Sequence, residues 1–139
     1  MMTNKTVRMV WFVLVGIALC TNAMAGGSWL CSINQAVAID EDGTVGPPDL
    51  GGLERPLFLR VDADKKQVTL LAPESRRGEV TKIDALYEGE EIWVFSGVEH
   101  SRAWSLVISK SGYMTLSVTT DGACWSVFGY ALAERDLEE

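Results

Sequence analysis

His100 is the single histidine of this 139-residue chain, and it lies beside Ser101 in Glu99-His100-Ser101-Arg102. Such a pair can act as general base and nucleophile. Hydrolysis would also require a group that orients the imidazole and an oxyanion hole, and the neighbouring sequence supplies neither. A hydrolase is therefore the most remote function considered, no catalytic residue is assigned, and His100 is expected to be an exposed turn residue.

Metal ligands are also scarce. One histidine and two cysteines beyond the amino-terminal segment cannot complete a zinc site. Asp40-Glu41-Asp42-Gly43 begins like a calcium-binding loop, but Val45 and Gly51 stand where that loop needs glycine and glutamate. We therefore expect no metal and no other cofactor.

Arg76 and Arg77 are adjacent in a polar loop that extends from Pro73 to Gly78. The planar guanidinium group suits a carboxylate or a phosphate, so both arginines are candidates for recognition by this loop. Glu74 and Glu79 flank them and can neutralise their charge. An ordinary solvated loop is the alternative.

Five aromatic residues in three consecutive β-rich segments are candidates for contact with a ligand: Trp93, Phe95, Trp104, Trp125 and Phe128. A closed eight-stranded barrel has an interior that is filled by side chains or holds one small ligand. Such a domain resembles the lipocalin and avidin class of up-and-down barrels in strand count alone, without a motif of either family. Core and cross-strand packing is the alternative role of these rings.

The amino terminus has the three parts of an export signal. Lys5 and Arg8 precede an apolar segment, Met9 to Cys20, and Ala23-Met24-Ala25 follows as a small-x-small cleavage site. The apolar segment has 12 residues, whereas a spanning helix needs about 20. We therefore expect cleavage after Ala25, a periplasmic or secreted product and no membrane span after processing; an uncleaved anchor is the alternative.

Removal of residues 1–25 would eliminate Cys20 and leave Cys31 and Cys124. An even pair of cysteines in an oxidising compartment predicts a disulfide. A bridge over so long a loop would stabilise the fold by roughly 4 to 5 kcal/mol in the chain-entropy model. Two buried free thiols are the alternative.

The domain is acidic. The net charge of the full chain is −7, and loss of Lys5 and Arg8 would make it −9. Such a charge repels phosphate backbones, so nucleic acid is not expected as a partner. It attracts basic proteins, or it simply maintains solubility.

Residues 26–139 are long enough for one domain, and their pattern predicts an all-β fold with a short acidic carboxyl-terminal tail. About eight strands are expected, at 29–39, 56–62, 67–72, 79–87, 92–98, 103–108, 113–119 and 123–131. Short turn-like separators join only antiparallel neighbours, so the segment from Pro56 onward should be a meander. A small barrel is the preferred architecture, and a β-sandwich is the alternative because it produces the same pattern.

Alternation within the strands predicts which side chains face inward. Met114, Leu116 and Val118 form one apolar face, and Leu57, Leu59 and Val61 form another. Residues 92–98 are apolar on both faces, with Trp93 and Phe95 on one of them. This strand should be covered on both sides or have one face that binds a partner.

Export, small size, acidity and the lack of a convergent reactive set favour a binding module of the cell envelope. Its expected partner is a protein, as for an inhibitor or an accessory subunit. A small-ligand carrier that uses the barrel interior is the first alternative. No sequence pattern defines an oligomeric state.

Overall fold

The computed structural model describes residues 27–47 and 57–137, and the predicted signal peptide, with Cys20 and the cleavage site, lies outside them. The described residues form an all-β structure, as predicted. Its strands are β1 (Ser28–Ile39), β2 (Val45–Gly46), β3 (Leu57–Asp62), β4 (Gln67–Ala72), β5 (Val80–Lys82), β6 (Ala85–Glu88), β7 (Ile92–Glu99), β8 (Arg102–Ser109), β9 (Tyr113–Thr119) and β10 (Cys124–Ala133). Short 3₁₀ turns occupy Glu74–Arg76 and Glu134–Leu137. Within the two described ranges, no helix is both long and apolar enough to cross a membrane.

Nine strands form one antiparallel sheet in the order β5-β4-β3-β1-β10-β9-β8-β7-β6, and β2 pairs with the end of β1. The expected meander is present in two parts, β3 to β5 and β6 to β10, with β1 inserted between β3 and β10. The predicted strand at 79–87 is divided, because it changes partner at Ile83 and Asp84. Its first part pairs with β4 and its second part with β7.

The sheet curls into a half-barrel that does not close, so the prediction of a closed barrel is wrong in this respect. The edge strands β5 and β6 are consecutive in the chain, yet each pairs on one side only. No ladder joins β5 to β7; a side-chain hydrogen bond from Thr81 Oγ1 to Glu99 Oε2 crosses between them at 2.9 Å. The two-sheet sandwich is also wrong, because all the described strands belong to one sheet.

The concave face of the half-barrel carries the core. Met114 and Val118 are buried, as are Leu57, Leu59 and Val61, so both predicted inward faces are confirmed. In β7, Phe95 has no exposed surface. Trp29 contacts its ring edge-on with a centroid separation of 5.6 Å, a favoured geometry for aromatic pairs.

The long β1–β10 ladder contains a bulge. Its register shifts between Ile33 and Gln35, opposite Gly129. A bulge bends the strand and increases its twist, which helps the sheet to curl. Gly129 is required here because a Cβ atom would collide with the carbonyl oxygen of Ser32.

The predicted disulfide does not form, and both cysteines are free thiols. Cys31 pairs with Ala131 near one end of the β1–β10 ladder, whereas Cys124 pairs with Ile39 at the other end. The seven residue-to-residue steps from Cys124 to Ala131 correspond to about 23 Å of strand, but a disulfide requires Cα atoms within about 7 Å. The two side chains also face opposite sides of the sheet, since Cys31 is in the core and Cys124 alternates with the inward-facing Trp125.

Candidate functional site

The interior of the half-barrel has a filled end and an open end. Three aromatic rings, Trp29, Trp93 and Phe95, pack together at the filled end, with centroids 5.0 to 6.4 Å apart. The open end contains a cavity of about 230 Å³. Its wall consists of inward residues from six strands: Ile33, Ala36, Leu57, Leu59, Val68, Leu70, Trp104, Leu106, Leu116, Val118, Trp125 and Val127. Mostly aliphatic side chains line the open end. They leave a cavity there, whereas the three aromatic rings fill the interior at the other end.

The rim of the cavity is polar and carries both signs of charge. It is formed by Arg76, Glu79, Thr81, Glu99 and Arg102. Arg76 and Glu79 pair with each other: Nε donates to Oε1 at 3.0 Å and to Oε2 at 2.9 Å, and Nη2 donates to Oε2 at 2.6 Å. The hydrogen bonds from Arg76 lower the pKa of Glu79, and those to Glu79 raise the pKa of Arg76. These two rim charges therefore neutralise each other.

A tight hairpin positions the other two rim charges. Glu99 and Arg102 are directly paired across β7 and β8, and the two turn residues, His100 and Ser101, have positive φ angles of 49° and 61°. Positive φ at both central residues defines a type I′ turn, in which Asn-Gly is the favoured sequence. The side chain of His100 is 87% exposed, so the turn holds Glu99 and Arg102 at the rim while His100 extends into solvent.

The two rim charges of this hairpin differ in their partners. Oε2 of Glu99 accepts the hydrogen bond from Thr81, and Oε1 lies 3.9 Å from Nε2 of His100. Arg102 makes no ion pair with any residue that the structure describes. Among the described residues, Arg102 is thus the rim cation that has no ion-pair partner.

Asp84 lies near Trp104, one of the residues of the cavity wall. Its Oδ2 accepts a hydrogen bond from the backbone N–H of Val98 at 2.9 Å, in place of a neighbouring strand. A Cβ atom at Gly97 would lie 2.9 Å from Trp104 Nε1 and 3.0 Å from Asp84 Oδ2, so glycine permits this close packing. The indole N–H of Trp104 is buried and has no acceptor among the described residues.

The structure separates the five aromatic candidates into three groups. Trp104 and Trp125 line the cavity, whereas Trp93 and Phe95 belong to the filled end. Phe128 lies on the outer face and is 39% exposed. Only two of the five are therefore placed to contact a ligand in the interior, and that role stays a prediction.

On the outer face, the ring centroid of Phe128 lies 6.0 Å from that of Tyr113 and 5.8 Å from that of Tyr130.

Of the two candidate arginines, Arg76 reaches the cavity rim, while Arg77 is exposed and does not line the cavity. Sequence reasoning missed Thr81, Glu99 and Arg102 as rim residues. The sequence signal that could have identified Glu99 and Arg102 as neighbours was their spacing, because a two-residue hairpin turn pairs the residues that flank it.

A second, polar cavity of about 630 Å³ lies at the opposite end of the β1–β10 ladder. Its charged lining mixes both signs, with Glu88, Lys110, Arg135 and Asp136 among its residues. Within residues 27–47 and 57–137, no three His, Cys, Asp or Glu side chains are grouped so that they could hold a metal ion. The apolar cavity is therefore the better candidate for a specific site.

Comparison with known proteins gives no match to a family model, to a curated sequence or to a solved structure. The geometry and chemistry of the cavity and its rim are therefore the features that point to a function.

Proposed function

We propose that this protein binds one small apolar molecule in the open end of the half-barrel. The apolar cavity of about 230 Å³ carries this proposal. Protein interiors are close-packed, and voids larger than a water molecule are few. An engineered apolar cavity of about 150 Å³ binds benzene, so the present cavity suits a ligand of about ten non-hydrogen atoms.

The expected affinity is modest. Drug-sized ligands gain about 0.3 kcal/mol per non-hydrogen atom, and very small ligands gain more. At about 0.5 kcal/mol per atom, ten atoms supply about 5 kcal/mol, which corresponds to a Kd of about 0.2 mM. Such binding suits a carrier that releases its ligand readily, or a sensor of an abundant small molecule.

The expected site of action is the cell envelope, because the amino-terminal segment has the pattern of an export signal. A binding module that acts there agrees with the class expected from sequence. An inhibitor or accessory subunit with a protein partner stays a prediction. The interior cavity favours a small-ligand carrier over an inhibitor or accessory subunit, because the cavity has a defined volume and a defined lining.

Titration with octan-1-ol tests the proposal. The indole N–H signals of Trp104 and Trp125 in ¹H–¹⁵N NMR spectra should shift and saturate, because both rings line the cavity. Ala36→Phe would fill part of the cavity and should weaken binding at least tenfold. Val37→Phe is the matched control, since Val37 is the next residue of β1 and is 45% exposed.

Saturable shifts in the wild type and in Val37→Phe, together with their loss in Ala36→Phe, would support the interior site. If octan-1-ol causes no saturable shift, or binds Ala36→Phe as tightly as the wild type, the interior site is refuted. Circular dichroism of each variant checks that the β-sheet is retained.

A further inference from the structure

We infer that the ligand of the cavity is an amphiphile with one carboxylate, and that Arg102 binds this carboxylate at the rim. The inference rests on the proposed function and specifies the ligand class. Its basis is the distribution of charge around an otherwise apolar cavity.

Arg102 is the rim cation that is available to a ligand. Arg76 donates three hydrogen bonds to Glu79 and is therefore committed within the protein. Arg102 lines the same cavity and has no ion pair with any described residue. A guanidinium can donate two parallel hydrogen bonds to a carboxylate, and this geometry fixes the orientation of the bound group.

Glu99, the rim carboxylate nearest in the ladder, is held by groups of the protein. Thr81 donates to one of its oxygens at 2.9 Å, and His100 lies near the other at 3.9 Å. A ligand amine would meet a carboxylate that already accepts one hydrogen bond from the protein, whereas a ligand carboxylate would meet an arginine that has no ion pair with any described residue. The rim therefore favours an anionic head group over a cationic one.

The protein is negatively charged overall, so the presence of Arg102 at the cavity rim bears on the charge of the ligand. The chain has a net charge of −7, so its long-range field repels anions and attracts amines. An anionic ligand thus needs a local cation at the entrance, and Arg102 supplies one directly above the apolar wall. The cavity volume then limits the tail to about eight carbons, since about ten non-hydrogen atoms fit in total.

The test compares octanoate, octan-1-ol and octylamine, which share one alkyl chain and differ in the head group. In the wild type at low salt, octanoate should bind about fivefold more tightly than octan-1-ol, the gain expected of a partly exposed charge pair. Added salt should reduce this difference. Arg102→Gln should reduce the affinity for octanoate about fivefold and leave that for octan-1-ol unchanged.

Arg77→Gln is the matched control, because it removes the same charge from an exposed residue that does not line the cavity. It should leave both affinities unchanged. Equal binding of octanoate and octan-1-ol, tighter binding of octylamine, or equal losses in Arg102→Gln and Arg77→Gln would overturn the carboxylate inference while the interior site stands. Failure of all three probes to bind would instead refute the proposed function itself.

Discussion

Gly129→Ala should destabilise the protein strongly, because position 129 lies opposite the bulge of the central ladder. The new Cβ would collide with the carbonyl oxygen of Ser32, and would lie 2.8 Å from the carbonyl carbon of Ser32 and 3.2 Å from the Cα of Ile33. All three atoms belong to the backbone, so no side-chain rotation relieves the contact. Overpacking typically costs about 1 to 3 kcal/mol, and we expect a loss of at least 3 kcal/mol in the free energy of unfolding.

Urea denaturation followed by far-ultraviolet circular dichroism measures this loss, and a fall in Tm of about 12 °C or more should accompany it in a domain of this size. Gly46→Ala is the control, since no atom lies within 4 Å of a Cβ at that position. It should change stability by less than about 0.5 kcal/mol. A loss below about 1 kcal/mol in Gly129→Ala would show that β1 and β10 do not approach each other as described.

Three further changes test other parts of the structure. Trp104→Phe removes a buried indole N–H that has no acceptor among the described residues, so it should lower the free energy of unfolding in urea by less than about 1 kcal/mol. Trp104→Ala should lower it by about 3 to 5 kcal/mol. Burial raises the pKa of the Cys31 thiol from 9.0 to about 12. Between pH 9 and pH 12 the folded protein therefore keeps a proton that the unfolded chain loses. The free energy of unfolding should fall in this range by up to about 1.4 kcal/mol per pH unit. Cys31→Ala should remove this contribution, and peptide mapping after alkylation of the native protein should find Cys124 modified and Cys31 protected. The double variant His100→Asn with Ser101→Gly supplies the favoured type I′ sequence at two positions with positive φ and should raise the free energy of unfolding by about 0.5 to 1 kcal/mol. A loss of stability would contradict the turn assignment.

The strands could be predicted from sequence because the local signals agree with one another. Alternation at Met114, Leu116 and Val118 and at Leu57, Leu59 and Val61 identifies inward faces that the structure confirms for the buried residues. Short polar turns then determine antiparallel neighbours, since no crossover fits between them. Local pattern thus contains most of the information for β6 to β10.

The position of β1 and the separation of the cysteines could not be predicted, because both depend on long-range register. The even pair of cysteines suggested a bridge, and the structure shows that Cys31 and Cys124 lie on strands that pair with each other. The antiparallel register instead places them at opposite ends of the ladder. An even count of cysteines contains no information about register, and the disulfide prediction failed for that reason.

The incomplete closure of the sheet and the location of the cavity are connected. Thr81 of β5 and Glu99 of β7 face each other where the ladder is missing, and both line the cavity. A backbone ladder between these strands would seal the mouth. Asp84 instead accepts the hydrogen bond of Val98 N–H, which satisfies one edge donor that a neighbouring strand would otherwise have to bind. The change of partner at Asp84 therefore lets the half-barrel end without a strand opposite the N–H group of Val98. The opening that remains lies beside Arg102, where the proposed ligand would place its head group.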